Sequence, residues 1–108
     1  MSEEITMEFI GFESKPMVRE YIFTVREPSA KPRDFFLTIS NESFDTHRVR
    51  YQDAPDVCSR RLRRELASHA NHPAETHFHI TDIELDDYRA RRTSQAAAKP
   101  FARKRPDF

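Results

Sequence analysis

The stretch from Asp53 to Pro73, DAPDVCSRRLRRELASHANHP, constrains the fold more than any other part of this chain, because it is the one long segment with helical periodicity. Asp53 stands at the expected N-cap and Pro55 in the first turn, where a missing amide costs nothing. Asp56 adds a carboxylate beside the positive end of the helix dipole. Asn71 reads as a left-handed C-cap residue, and Pro73 blocks continuation. Between these ends Cys58, Leu62 and Leu66 recur every four residues, flanked by Val57 and Ala70. One such stripe suits a helix lying on a sheet.

The segments around it alternate with period two, as strands do. They are residues 5–12, with Gly11 marking a bulge or bend; residues 18–27, with Arg19, Tyr21, Phe23, Val25 and Glu27 on one face; and residues 34–40, with Phe35, Leu37 and Ile39. Residues 47–52 place Val49 and Tyr51 inward. Residues 76–80 place Phe78 and Ile80 inward and His77 and His79 outward. Ser40 can cap a single helical turn that carries Phe44. A second helix begins near Asp82, where Thr81 and Glu84 form a capping box and Ile80 and Leu85 a hydrophobic staple. Ile83, Leu85 and Tyr88 supply its apolar contact, and Pro100 is expected near its end. The expected fold is α+β: a small antiparallel sheet of four or five strands against one central helix, with a second C-terminal helix and a basic tail. Residues 1–92 form the domain, and residues 93–108 a basic, flexible tail. The expected core is Phe23, Val25, Leu37, Ile39, Tyr51, Leu62, Leu66, Phe78 and Ile80. Phe12, Ile22 and Phe36 are expected on the second sheet face, and such a surplus predicts a homodimer.

Charge is balanced overall but unevenly placed. Residues 1–88 hold 11 Lys/Arg against 17 Asp/Glu, and residues 89–108 hold 7 against 1. One cysteine excludes an intrachain disulfide. A single glycine excludes the phosphate-cradling and dinucleotide loops, which need several. Nothing calls for a cofactor. The amino terminus lacks the features of a secretory signal, and no apolar run reaches membrane-spanning length. The expectation is a cytoplasmic chain with no membrane association.

Three groups of residues are candidates for function. Arg60, Arg61, Arg63 and Arg64 on the central helix, with Arg89, Arg91, Arg92, Arg103, Lys104 and Arg105 beyond it, form a polyanion-binding set that would work by counterion release. The alternative for the helix arginines is intrachain pairing, with their stems covering the edges of the apolar stripe. His72, His77 and His79 form a candidate metal set, since residues i and i+2 on a strand point the same way. Cys58 lies on the apolar stripe, which disfavours a thiolate. No nucleophile turn or oxyanion hole is discernible. The first expectation is therefore a non-enzymatic binding or adaptor module that contacts a protein partner or a second copy. The alternatives are a nucleic-acid binder and a small metal- or histidine-dependent enzyme.

Overall fold

The computed structural model describes the backbone of residues 5–28 and 30–103 and the side chains through residue 92. Four strands form one sheet in the order β1-β2-β3-β4: β1 (Thr6–Ser14), β2 (Val18–Glu27), β3 (Ala30–Ser40) and β4 (His77–His79). Three helices complete the α+β architecture: α1 (Asn41–Asp45), α2 (Ala54–Ser68) and α3 (Asp82–Arg103).

The first three strands form an antiparallel meander, whereas β4 pairs parallel with β3, Leu37 opposite Phe78. The sheet is therefore mixed rather than antiparallel. The reason lies in the connection: α2 carries the chain back along the sheet before β4 starts, and a strand that follows such a crossover runs parallel to the strand before it. The β2–β3 loop is also shorter than expected. Strand β3 starts at Ala30 and includes Pro32, which falls where the register between Val25 and Glu27 is irregular. A residue without an amide is tolerated there because the ladder is already interrupted.

Residues 47–52 are not a strand. His47 takes a left-handed conformation (φ 63°). The amides of Arg48 and Val49 both donate to the Ser43 carbonyl, and those of Asp53 and Ala54 to Arg50. Local turns thus use the hydrogen bonds that a strand would have offered a neighbour. Val49 is still buried, but Tyr51 is 57% exposed and leaves the expected core.

One face of the sheet carries Tyr21, Phe23, Val25, Phe35, Leu37, Ile39 and Phe78, closed over by Ala54, Val57, Cys58, Leu62 and Leu66 of α2. Leu85 and Tyr88 of α3 and Phe44 of α1 seal its ends. Ser40 caps α1 by accepting from the Glu42 amide. At α2, Asp53 holds the N-cap position without a side-chain cap bond, and Ala70 and Asn71 both take left-handed conformations. Ala70 is accordingly exposed and lies off the apolar stripe. The α3 capping box is reciprocal: the Thr81 amide donates to Glu84 Oε2 (3.0 Å) and the Glu84 amide to Thr81 Oγ1 (3.2 Å). Ile83, expected to pack, is 73% exposed. Leu85 and Tyr88, at i and i+3, already use the inward side of the helix. Helix α3 runs three residues past Pro100.

Candidate functional site

Two surfaces merit chemical scrutiny: the arginine-rich seam between α2 and α3, and the open border of the sheet at β1.

The seam holds most of the expected polyanion set, and most of it is already paired. Arg61 donates to Glu65 (2.8 Å) and to Glu84 (2.6 Å). Arg64 donates to the other oxygen of Glu84 (3.0 Å), and Arg60 to Asp56 (3.3 Å). Arg92 lies 3.6 Å from Asp53 and donates to the Tyr88 hydroxyl, which donates in turn to Asp56 (2.8 Å). These arginines tie α2 to α3 and to its approach. Arg63, Arg89 and Arg91 have no ion-pair partner among the described residues, and all three are exposed. Arg103 closes α3 with its side chain outside the description, and Lys104 and Arg105 lie outside the described residues, whereas residues 93–103 of the expected tail continue the helix.

The histidines are dispersed. His77 and His79 both stand on the outer sheet face, but His77 stacks on Phe36 (centroids 4.7 Å apart) and its Nδ1 meets the Thr76 hydroxyl. His79 Nδ1 meets the Thr38 hydroxyl (2.8 Å). His72 sits at the far end of β2, with Nε2 3.5 Å from Glu27. Among the described residues no three His, Cys, Asp or Glu side chains gather as a metal would require. His72 stands apart from His77 and His79 because it belongs to the loop after α2, which Arg33 holds against the β2–β3 hairpin, away from the outer face. Cys58 is wholly buried, and its burial pushes the thiol far above the ordinary range, with Glu84 adding in the same direction. A thiol held protonated is not a nucleophile.

Sequence reasoning passed over the second surface. Among the described residues strand β1 pairs only with β2, which leaves its other edge open along nine residues. At Ile10 the register slips by one: Phe9 pairs with Phe23, but Gly11 pairs with Ile22 and Phe12 with Tyr21. A bulge adds one residue to one strand, so Phe12 returns to the same side of the sheet as Phe9. It does not join Ile22 and Phe36 on the outer face, as plain alternation predicts. Three of the four apolar side chains of this strand stay open to solvent, Phe9 43%, Ile10 54% and Phe12 50% exposed, while Met7 packs partly against the core.

On the helix side of the sheet, Phe9, Phe12, Tyr21, Tyr51 and Pro55 line a groove of about 420 Å³, and the one charged group in its lining is Arg19. The Arg19 guanidinium lies 4.1 Å from the Phe12 ring centroid and 4.6 Å from that of Tyr51. Tyr51 in turn stacks on Phe44, 4.5 Å away and nearly coplanar. Beneath them, burial pushes the Tyr21 hydroxyl up to about 12, against the opposing pull of the Arg19 charge. The groove combines flat apolar walls with one cation. Its signals in the sequence were Gly11, which marks the bulge, and Arg19 on the inward face of β2.

No helix of the described residues is long and apolar enough to cross a membrane. No protein-family model matches this chain, and neither a curated protein nor a solved structure matches it.

Proposed function

We propose that this chain is a non-enzymatic binding module that takes a protein partner along the free edge of β1 and in the aromatic groove beside it. The observation that carries the reading is the open nine-residue edge on which Phe9, Ile10 and Phe12 are all about half exposed. Long apolar edges are normally shortened, charged or covered, because their unpaired amides and carbonyls invite another strand. Glu8 and Glu13 supply some protective charge on the outer face, but the groove face of β1 is Met7, Phe9 and Phe12. Strand addition to such an edge draws affinity from the main chain and selectivity from the pockets beside it. The same edge can serve a second copy, which keeps a homodimer as one form of the proposal.

The test is a random-peptide display selection on the full chain, with a Phe9→Ala, Phe12→Ala double variant as the counter-screen. Peptides that bind the parent chain and lose the double variant support the reading. A selection that enriches nothing, together with a monomeric mass by sedimentation, overturns it.

Arg89 and Arg91 favour a second reading, nucleic-acid binding. They are exposed, they have no partner among the described residues, and they lie on the helix that leads to Lys99 and Arg103. Fluorescence anisotropy with labelled single- and double-stranded DNA tests it. Binding that falls steeply with salt and is lost when the chain is shortened to Arg92 supports the reading, and no binding at low salt removes it.

A further inference from the structure

We infer that the groove beside β1 selects an extended peptide in which an apolar side chain stands two positions from an Asp or Glu, with the carboxylate pairing to Arg19. The inference rests on the reading of the chain as a protein-binding module and names the chemistry of its partner.

The first support is the state of Arg19. Among the described residues four arginines have no carboxylate partner: Arg19, Arg63, Arg89 and Arg91. The last three are exposed, where water compensates the charge, whereas Arg19 is half-buried. Its counterparts in this protein under similar cover, Arg33 and Arg61, each hold a glutamate at 2.8 Å or less. The faces of Phe12 and Tyr51 stabilise the Arg19 cation, and beyond the hydrogen bond that Arg19 shares with the Tyr21 hydroxyl its in-plane N–H groups can donate to an anion. Guanidinium presents a planar fork that fits a carboxylate through two parallel hydrogen bonds.

The second support is the spacing along the sheet. Phe9 pairs with Phe23 and Phe12 with Tyr21, while Arg19 pairs with Ser14, so all stand on successive groove-side rungs. A strand added to the open edge of β1 directs every second side chain to that side. A side chain placed beside the Phe9–Phe12 wall is therefore one rung, or two residues, from the side chain nearest Arg19. The apolar walls reject a polar residue at the first position, and the uncompensated guanidinium rejects a cation at the second. The ladder of main-chain donors and acceptors favours a polypeptide over a nucleic acid, which has no matching backbone.

The test is anisotropy of fluorescein-labelled heptapeptides in both orders, Thr-Val-Φ-Thr-Glu-Thr-Val for a strand parallel to β1 and Val-Thr-Glu-Thr-Φ-Val-Thr for an antiparallel one, where Φ is Phe, Leu or Tyr. Matched peptides carry Lys or Gln in place of Glu, and unlabelled oligothymidylate serves as competitor. The full chain is expected to bind at least one Glu peptide about tenfold more tightly than its Lys counterpart, as befits a charge-assisted pair. Arg19→Met should erase that preference, and Arg19→Lys, which keeps the charge but loses the fork, should retain part of it. Tyr51→Ser alters an exposed ring and should weaken every peptide, so it reports on the groove even if an Arg19 variant fails to fold. Equal binding of the Glu, Gln and Lys peptides overturns carboxylate recognition and leaves the protein-binding reading standing. Failure of every peptide at millimolar concentration overturns both. Displacement by oligothymidylate overturns the peptide assignment in favour of nucleic acid.

Discussion

Arg33 meets Glu27 at 2.8 Å with only 4% of the Glu27 side chain exposed, and the same Arg33 nitrogen donates to the carbonyl of Asn71 (2.7 Å). One ion pair, buried on its Glu27 side and part-buried on its Arg33 side, therefore ties the tip of the β2–β3 hairpin to the loop that ends α2. Removing one partner of such a pair leaves a buried charge uncompensated, at a cost of about 3 kcal/mol. Arg33 Nε is already buried without a partner, so the guanidinium has little reserve. Glu27→Ala should lower stability by about that amount in urea unfolding. A Glu27→Leu, Arg33→Met double variant should lose less, since both charges then go together.

Glu84 has three tasks: it closes the α3 capping box with Thr81, and it holds both Arg61 and Arg64 of α2. Thr81→Ala removes only the cap contact and should cost about 1 kcal/mol. Glu84→Gln should cost more, because it weakens the cap, releases Arg64 and leaves Arg61 with Glu65 alone. It should also strengthen any salt-sensitive binding of nucleic acid, since Arg64 loses its one intrachain carboxylate among the described residues. Urea unfolding checks the first expectation, and anisotropy in low salt the second.

Cys58 should be silent to thiol reagents in the native chain. It is wholly buried, and burial holds its proton above the ordinary thiol range. Reaction with a disulfide reagent such as DTNB at pH 8 should run at the rate at which the core opens, and go to completion at once in urea. Fast native labelling would mean that α2 lifts from the sheet far more readily than its packing implies.

Stability should fall at alkaline pH. The Tyr21 hydroxyl has a folded value of about 12 against an ordinary value of 10.0, so the unfolded chain gives up its proton first. A raised folded value contributes stability that is complete below pH 10 and is lost as pH rises toward 12. Burial raises Tyr88 and Cys58 as well, which steepens the same decline. Urea midpoints from pH 8 to 11.5 should drop mainly above pH 10, and Tyr21→Phe should flatten part of that drop.

Much of the fold was legible because its signals are local. The α3 capping box, the Ser40 cap and the Cys58–Leu62–Leu66 stripe each lie within a few residues of chain, and each holds in the structure. The direction of β4 was missed because strand polarity depends on the path of the connection, which periodicity does not report. Residues 47–52 alternate as a strand would, but His47 and the Ser43 carbonyl commit that backbone to turns. The same misreading placed Tyr51 in the core and concealed the aromatic groove. The arginine run on α2 was visible, but its pairing with Glu84 bridges twenty residues or more of chain and becomes evident only once α3 is in place.

The extra residue at Ile10 sets how much the length of β1 matters to what its edge presents. With Ile10 bulged out, Gly11 faces Ile22 and Phe12 faces Tyr21, as they would in a strand one residue shorter. Deleting Ile10 should therefore leave Phe9 and Phe12 on one side of the sheet in plain alternation, and remove only the bulge. The apolar wall tolerates such a change of length. What the extra residue contributes is the local bend and twist of the edge, together with the exposed Ile10 side chain.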